Sequence, residues 1–198
     1  AVQTVFGPAS AYCTKLHTLL STLYSDVPVQ ILNAGLSGDC APCALKRLER
    51  DVLSVRPDLT IVAFGLNDVC REDETLEQYL RALVEIFSRL RAAGSEIVFM
   101  TPNMMNTHLS ERLRDTAIRR IATDTMTVQT NGELGRYLEA AKELCADRNV
   151  RVCDCYAKWM RLAENGVDTT ALLSNAINHP AREMQWLFAN ALLEELLR

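Results

Sequence analysis

The chain has 198 residues, enough for one domain with a sizeable hydrophobic core, and we read residues 1–198 as a single domain. With 48% hydrophobic and 23% charged residues, the composition is ordinary for a globular protein. A net charge of −4 without any Lys/Arg stripe excludes a nucleic-acid footprint, and no apolar run approaches the roughly 20 residues that span a bilayer.

In chain order, Leu16, Leu19, Leu20 and Leu23 recur at helical spacing and predict a helix over residues 12–24. Pro28 stops it, and Val29 to Gly35 reads as a strand. Leu36-Ser37-Gly38-Asp39 is the turn that follows, with Asp39 as the expected N-cap of the next helix. That helix carries Leu45, Leu48, Val52 and Val55 on one face and ends before Pro57.

Thr60-Ile61-Val62-Ala63-Phe64 is β-branched, aromatic and uncharged, so it reads as a strand buried on both faces. It breaks into Gly65-Leu66-Asn67-Asp68, a polar turn at the strand's carboxyl end. Thr75 to Ala93 is the clearest helix, with Leu76, Leu80, Leu83, Phe87 and Leu90 inward and Gly94 closing it. Glu96 to Met100 is a short buried strand, followed by the loop Thr101-Pro102-Asn103. Residues 107–130 give no clear period and read as a partly helical insertion or lid. Glu133 to Asp147 is a helix, Val150 to Cys155 a strand, and residues 180–197 a last helix. Strands and helices alternate throughout, which predicts βαβ units and a parallel sheet flanked by helices.

In such a sheet, ligands bind at the carboxyl ends of the strands. Three polar loops fall at that edge. Ser37-Gly38-Asp39 offers a glycine N–H with no side chain in the way. In the second loop, Asn67 offers an amide donor; two donors aimed at one point make an oxyanion hole. The third, Asn175-Ala176-Ile177-Asn178-His179-Pro180, presents His179 just ahead of the final helix. The other histidines, His17 and His108, read as structural.

Asn33-Ala34-Gly35-Leu36-Ser37-Gly38-Asp39, Gly65-Leu66-Asn67-Asp68 and Asn178-His179-Pro180 together resemble the second, third and fifth blocks of the SGNH (GDSL-like) hydrolases. Their order and spacing agree over almost the whole chain. The resemblance implies a flavodoxin-like, three-layer α/β/α sandwich with a central parallel sheet, and serine esterase or acylhydrolase chemistry on a small ester without metal or cofactor. It also implies oxyanion donors at Gly38 and Asn67, a general base at His179, and Asp68 as the residue that holds the Asn67 loop. A catalytically inactive binding module of the same fold is the alternative.

Two departures from the family pattern stand out. No Gly-Asp-Ser occurs, although the family's first block carries the nucleophile there. Either Val2 to Phe6 is a worn first strand with Ser10 in a degenerate nucleophile turn, or the strand and serine lie upstream of Ala1. The second reading is preferred, because Gln3 and Thr4 make Val2 to Phe6 a poor central strand. The expected triad acid is also missing: Asn175 and Ala176 stand where the family has Asp three or four residues before the histidine. An Asn, or a backbone carbonyl, is left to orient the imidazole.

Seven cysteines are many, yet the number is odd and the core needs no covalent staples, so they read as reduced thiols of a cytoplasmic protein. Cys40-Ala41-Pro42-Cys43 has redox-motif spacing, and with Cys153 and Cys155 it could form a zinc site, though small buried residues are the default reading. A redox role would require a lowered thiol pKa beside a helix N-terminus.

Overall fold

The structure is a computed structural model that describes residues 11–198. Among these residues are seven α-helices and three strands. The helices are α1 (Tyr12–Leu23), α2 (Ala41–Asp51), α3 (Leu76–Ala92), α4 (Thr116–Thr130), α5 (Glu133–Asp147), α6 (Cys155–Glu164) and α7 (Gln185–Leu196). The strands are β1 (Leu59–Val62), β2 (Glu96–Met100) and β3 (Arg151–Cys153). The readings that concern Val2 to Phe6 and Ser10 lie outside the described residues.

The chain forms two compact units. One comprises Leu36–Pro102 and Thr127–Asp154 and holds all three strands of the described residues. The order is β1-β2-β3, parallel throughout, with Ile61 opposite Val98 and Phe99 opposite Val152. Parallel neighbours need crossover connections, which α3 and α5 supply. Helix α3 is specified locally: Thr75 and Gln78 form a reciprocal capping box, and Gly94 takes φ +82° just past the other end. Its inward stripe of Tyr79, Leu83, Ile86, Phe87 and Leu90 joins Leu48, Ile97, Phe99, Tyr137, Ala141 and Cys145 in one core. Phe87 meets Phe99 edge-on at 6.3 Å, and Tyr79 stacks on Tyr137 at 5.6 Å.

The expectation for the central strand is corrected here. In β1 only Val62 is buried, and β1 lies at the edge of the described sheet; the strand buried almost throughout is β2, from Ile97 to Met100. Uncharged composition marks a strand, but which strand is central depends on pairing partners that composition does not encode.

The other unit comprises the chain up to Gly35, Asn103–Met126 and Cys155–Arg198. Within it α1 packs on α7, with Tyr12 and Phe188 rings 6.0 Å apart and Lys15 Nζ 4.4 Å from the centre of the Trp186 ring. Met104 and Met105 are buried, as methionine filler would be. Helix α6 buries Trp159; the sequence showed only a strand before it and no helix there.

The strand expected over Val29 to Gly35 is not formed. Among the described residues they pair with no strand, and Ile31 and Leu32 are 38% and 65% exposed. His17 Nε2 lies 3.0 Å from the Val29 carbonyl oxygen, and Asn33 Oδ1 accepts from the Gly35 N–H at 2.9 Å to make a turn. A strand exists only when a neighbour takes up its N–H and C=O groups, and apolar alternation alone does not supply one.

Candidate active site

The turn Leu36-Ser37-Gly38-Asp39 is closed by the Asp39 N–H donating to the Leu36 carbonyl at 3.3 Å, with Gly38 at φ +72°. That left-handed value is why glycine stands here. Its missing side chain faces open space, so the backbone is approachable.

The second loop leaves the carboxyl end of β1 through Gly65. This residue has φ +118°, and a Cβ on it would lie 2.8 Å from Leu138 Cδ2 and 3.2 Å from the Tyr79 hydroxyl. Three residues on, Asp68 is 1% exposed, and both of its oxygens are used. Oδ2 accepts from the Gly65 N–H and Oδ1 from the Ala41 N–H, each at 2.7 Å. One carboxylate thus closes its own loop and caps α2. Burial pushes the Asp68 carboxyl up, and the backbone N–H groups pull it down. Asp39 is not the N-cap expected of it. Cys40 occupies that position, and the Asp39 carboxylate pairs with Arg47. The cap is contributed from a distant loop, which local spacing cannot reveal.

Asn67 Nδ2 donates to the Asp39 carbonyl at 2.9 Å. An amide has two N–H groups, so one fixes the side chain against the Gly38 turn and the other remains as a donor. Gly38 and Asn67 are therefore brought together within one unit, held by Asp68 and by the Asn67–Asp39 bond.

His179 belongs to the other unit. Its loop is built on Asn175, whose Oδ1 accepts from the N–H groups of Ile177, Asn178 and His179 at 3.0–3.1 Å. Its Nδ2 donates to Asn178 Oδ1 at 3.0 Å. The next turn is fixed from outside, where Asn103 Nδ2 donates to the Asn178 carbonyl at 2.9 Å. The Ser174 N–H and hydroxyl both donate to the His179 carbonyl, at 2.7 and 3.1 Å. The hydrogen bonds of Asn175 therefore go to the backbone of this loop and to Asn178, and none of them goes to the imidazole. The ring is half-buried, and burial lowers its pKa, which favours the neutral imidazole. His17 is engaged with the Val29 carbonyl, and exposed His108 stands 3.7 Å from Asp168.

The thiols also depart from expectation. Burial first, then hydrogen bonding to Cys43 and Glu74, pushes the Cys40 thiol well up rather than down. That is the reverse of what a redox thiol needs. Nor do the four expected cysteines gather; the ligand atoms that cluster among the described residues are those of Asp39, Cys40 and Cys43. Sequence reading missed Glu74, Arg47 and Asn103, because each acts on a residue of another loop or turn and carries no periodic signal.

The GDSL-like lipase/acylhydrolase family model matches residues 3–187. The chain belongs to this family. Family membership makes the chain kin to ester hydrolases, as the three sequence blocks imply. An acetylxylan esterase of Geobacillus stearothermophilus is 24% identical over 131 residues, an alignment covering 59% of this chain and 60% of that protein. The chain thus spans about three fifths of the length of this relative.

Among solved structures, Axe2, an acetylxylan esterase from Geobacillus stearothermophilus, matches with a TM-score of 0.74 at 22% identity, covering 96% of this chain and 81% of its own. The acetyl xylan esterase AlAXEase matches with a TM-score of 0.77 at 16% identity, covering 98% and 94%. At these identities the likeness is one of fold: the α/β fold of the SGNH hydrolases with its parallel sheet. No helix among the described residues is long and apolar enough to cross a membrane.

Proposed function

We propose that this GDSL-like family member is a serine-type hydrolase of small carboxylic esters, with acetylated carbohydrate as the first substrate class to try. The observation that carries the reading is the convergence of the Gly38 turn and the Asn67 amide under the Asp68 clamp. Rigid donors of this kind are what a tetrahedral oxyanion requires, and losing one costs about 100- to 1,000-fold in rate.

In the proposed cycle, neutral His179 takes the proton of a serine hydroxyl as its oxygen bonds to the ester carbonyl carbon. The Gly38 N–H and the Asn67 amide receive the oxyanion. The imidazolium then protonates the departing alkoxide, leaving an acyl-serine. Water, deprotonated by the same imidazole, releases the carboxylic acid. In this proposal the serine is supplied from ahead of α1, with Ser10 as the residue to test. The substrates of the acetylxylan esterase relatives suggest acetyl groups on xylose-based oligosaccharides. The acetylxylan esterase activity of the relatives supports a protein that acts on a small-molecule ester.

The test is hydrolysis of p-nitrophenyl acetate and of acetylated xylo-oligosaccharide by the full-length protein. His179→Ala should abolish turnover, Asn67→Ala should lower kcat by about 100-fold or more, and Ser10→Ala decides between the two sources of the serine. Equal rates for wild type and His179→Ala would sink the assignment. They would favour the second reading, an inactive binding module, to which the commitment of the Asn175 oxygen to backbone already lends support.

A further inference from the structure

Beside the oxyanion turn lies a group of side chains that the proposed hydrolysis does not use. Cys40 Sγ, Cys43 Sγ and a carboxylate oxygen of Asp39 all lie within 4.8 Å of one another. Around a tetrahedral zinc, with Zn–S of about 2.3 Å and Zn–O of about 2.0 Å, ligand atoms sit roughly 3.5–4 Å apart, so a small contraction would bring these three to a metal.

A second observation comes from Glu74. Its side chain is 9% exposed, and Oε1 accepts from Cys40 Sγ at 2.8 Å. Its other oxygen, Oε2, is buried and has no hydrogen-bond partner among the described residues. A buried carboxylate oxygen without a partner is costly, and proteins retain one where something else satisfies it.

We infer that Asp39, Cys40 and Cys43 form a binding site for a divalent cation of the zinc class, with Glu74 as the outer partner that holds Cys40. Two sulfurs and one carboxylate favour zinc over magnesium or calcium, which take oxygen ligands alone. Cys-x-x-Cys places its first cysteine at the cap of α2 and its second in the first turn, a spacing typical of zinc ligand pairs. Two guanidiniums back the carboxylates. Arg47 engages Asp39 through Oδ2, leaving Oδ1, and Arg71 Nε stands 3.0 Å from Glu74 Oε1 without the alignment of a hydrogen bond. Such outer partners hold ligands in place and offset the negative charge gathered around one cation.

Binding is a proton exchange. The cation displaces the protons of both thiols, two S–Zn bonds form, and two protons pass to solvent with no change of oxidation state. Affinity therefore rises with pH. The site stands on geometry independent of ester hydrolysis, and metal content reads it separately.

The test is zinc titration of the reduced, chelator-stripped full-length protein against a chromophoric chelator, with cobalt(II) as a spectroscopic substitute. The expected result is one zinc per chain, about two protons released per zinc, and a thiolate-to-cobalt absorption band. Cys43→Ser and Glu74→Gln should each weaken zinc binding by roughly 10- to 100-fold or more, since losing even an outer partner of a ligand costs that much. Cys40 is buried and its replacement can unfold the chain, so Cys43→Ser and Glu74→Gln, checked by circular dichroism, carry the comparison. Stripped wild type that takes up no zinc at micromolar free metal, or both variants binding as tightly as wild type, would overturn the site.

Discussion

Two loops that carry proposed catalytic groups are each organised by one oxygen-bearing side chain, and they are organised in opposite ways. Asp68 is buried, and it joins backbone groups far apart in sequence, the N–H of Ala41 and the N–H of Gly65. Asn175 is half-buried and neutral, and everything its Oδ1 holds lies within the next four residues. The first is a long-range clamp whose failure separates a loop from a helix. The second is a local turn that forms largely by itself, as Asx turns do. Donors that must meet at one point need the first kind of fixation. A ring that must reach a proton needs only a loop of defined shape.

The largest effect should come from breaking the clamp. Asp68→Ala leaves two buried N–H groups without acceptors, each costing about 1–3 kcal/mol, so a loss of about 2–6 kcal/mol in urea-unfolding stability is expected. Asp68→Asn retains one acceptor and turns an NH₂ toward the other N–H, so it should fall between wild type and Asp68→Ala. An Asp68→Ala protein as stable as wild type would show that water replaces the carboxylate and that the clamp is dispensable.

Next in size is Gly65→Ala, which attacks the same loop through its backbone. The left-handed φ of +118° and the 2.8 Å approach to Leu138 Cδ2 act together. Backbone strain of about 1–2 kcal/mol and overpacking of about 1–3 kcal/mol give roughly 2–5 kcal/mol by the same measurement. A Leu138→Ala partner substitution should relieve the crowding and leave the strain. If the double variant recovers nothing relative to its parent singles, the cost lies in φ alone.

The same contrast explains what was legible in the sequence. Helix α3 could be read from Thr75 to Gly94 because its cap, stripe and stop are all local. The strand Glu96–Met100 and helix Glu133–Asp147 have the expected limits for the same reason. Residues 29–35 read as a strand and are not one, because strand formation is a property of pairs. In the candidate site, Gly38, Asn67 and His179 stood out by residue type at a strand end or helix start. Asp68 was expected to hold the Asn67 loop; its reach to Ala41 was hidden, as were Glu74 and Arg47. Those contacts cross between segments, and a single sequence carries no mark of which segments meet.

The local turn should be the milder target. Asn175→Ala removes one acceptor shared by three N–H groups, but the loop is partly open and water satisfies some of them. About 1–2 kcal/mol is expected, with faster amide hydrogen exchange confined to residues 177–179. Asn175→Asp keeps the acceptor and should recover most of that protection while losing the donation to Asn178 Oδ1. Exchange that speeds up across the whole unit instead of these three amides would make Asn175 a long-range fixture like Asp68.

The smallest effect concerns pH and the ring at the end of this loop. Burial holds His179 below the ordinary imidazole value. Between that lowered value and the roughly 6.5 of a free side chain, the unfolded chain binds a proton that the folded chain does not. Stability contributed by this residue therefore rises with pH across the window, and it is lost as pH falls from the free value toward the folded one. His179→Gln keeps a polar side chain of similar reach and cannot titrate, so it lacks that slope. Urea midpoints taken at about pH 7.5 and about pH 5, either side of the free imidazole value, should show wild type losing more stability than the variant on acidification. The carboxylates common to both proteins cancel in the difference. A difference that stays constant with pH would mean the ring meets water as freely in the folded loop as in the unfolded chain. The bonds that Asn175, Asn103 and Ser174 make would then shape the backbone without burying the base.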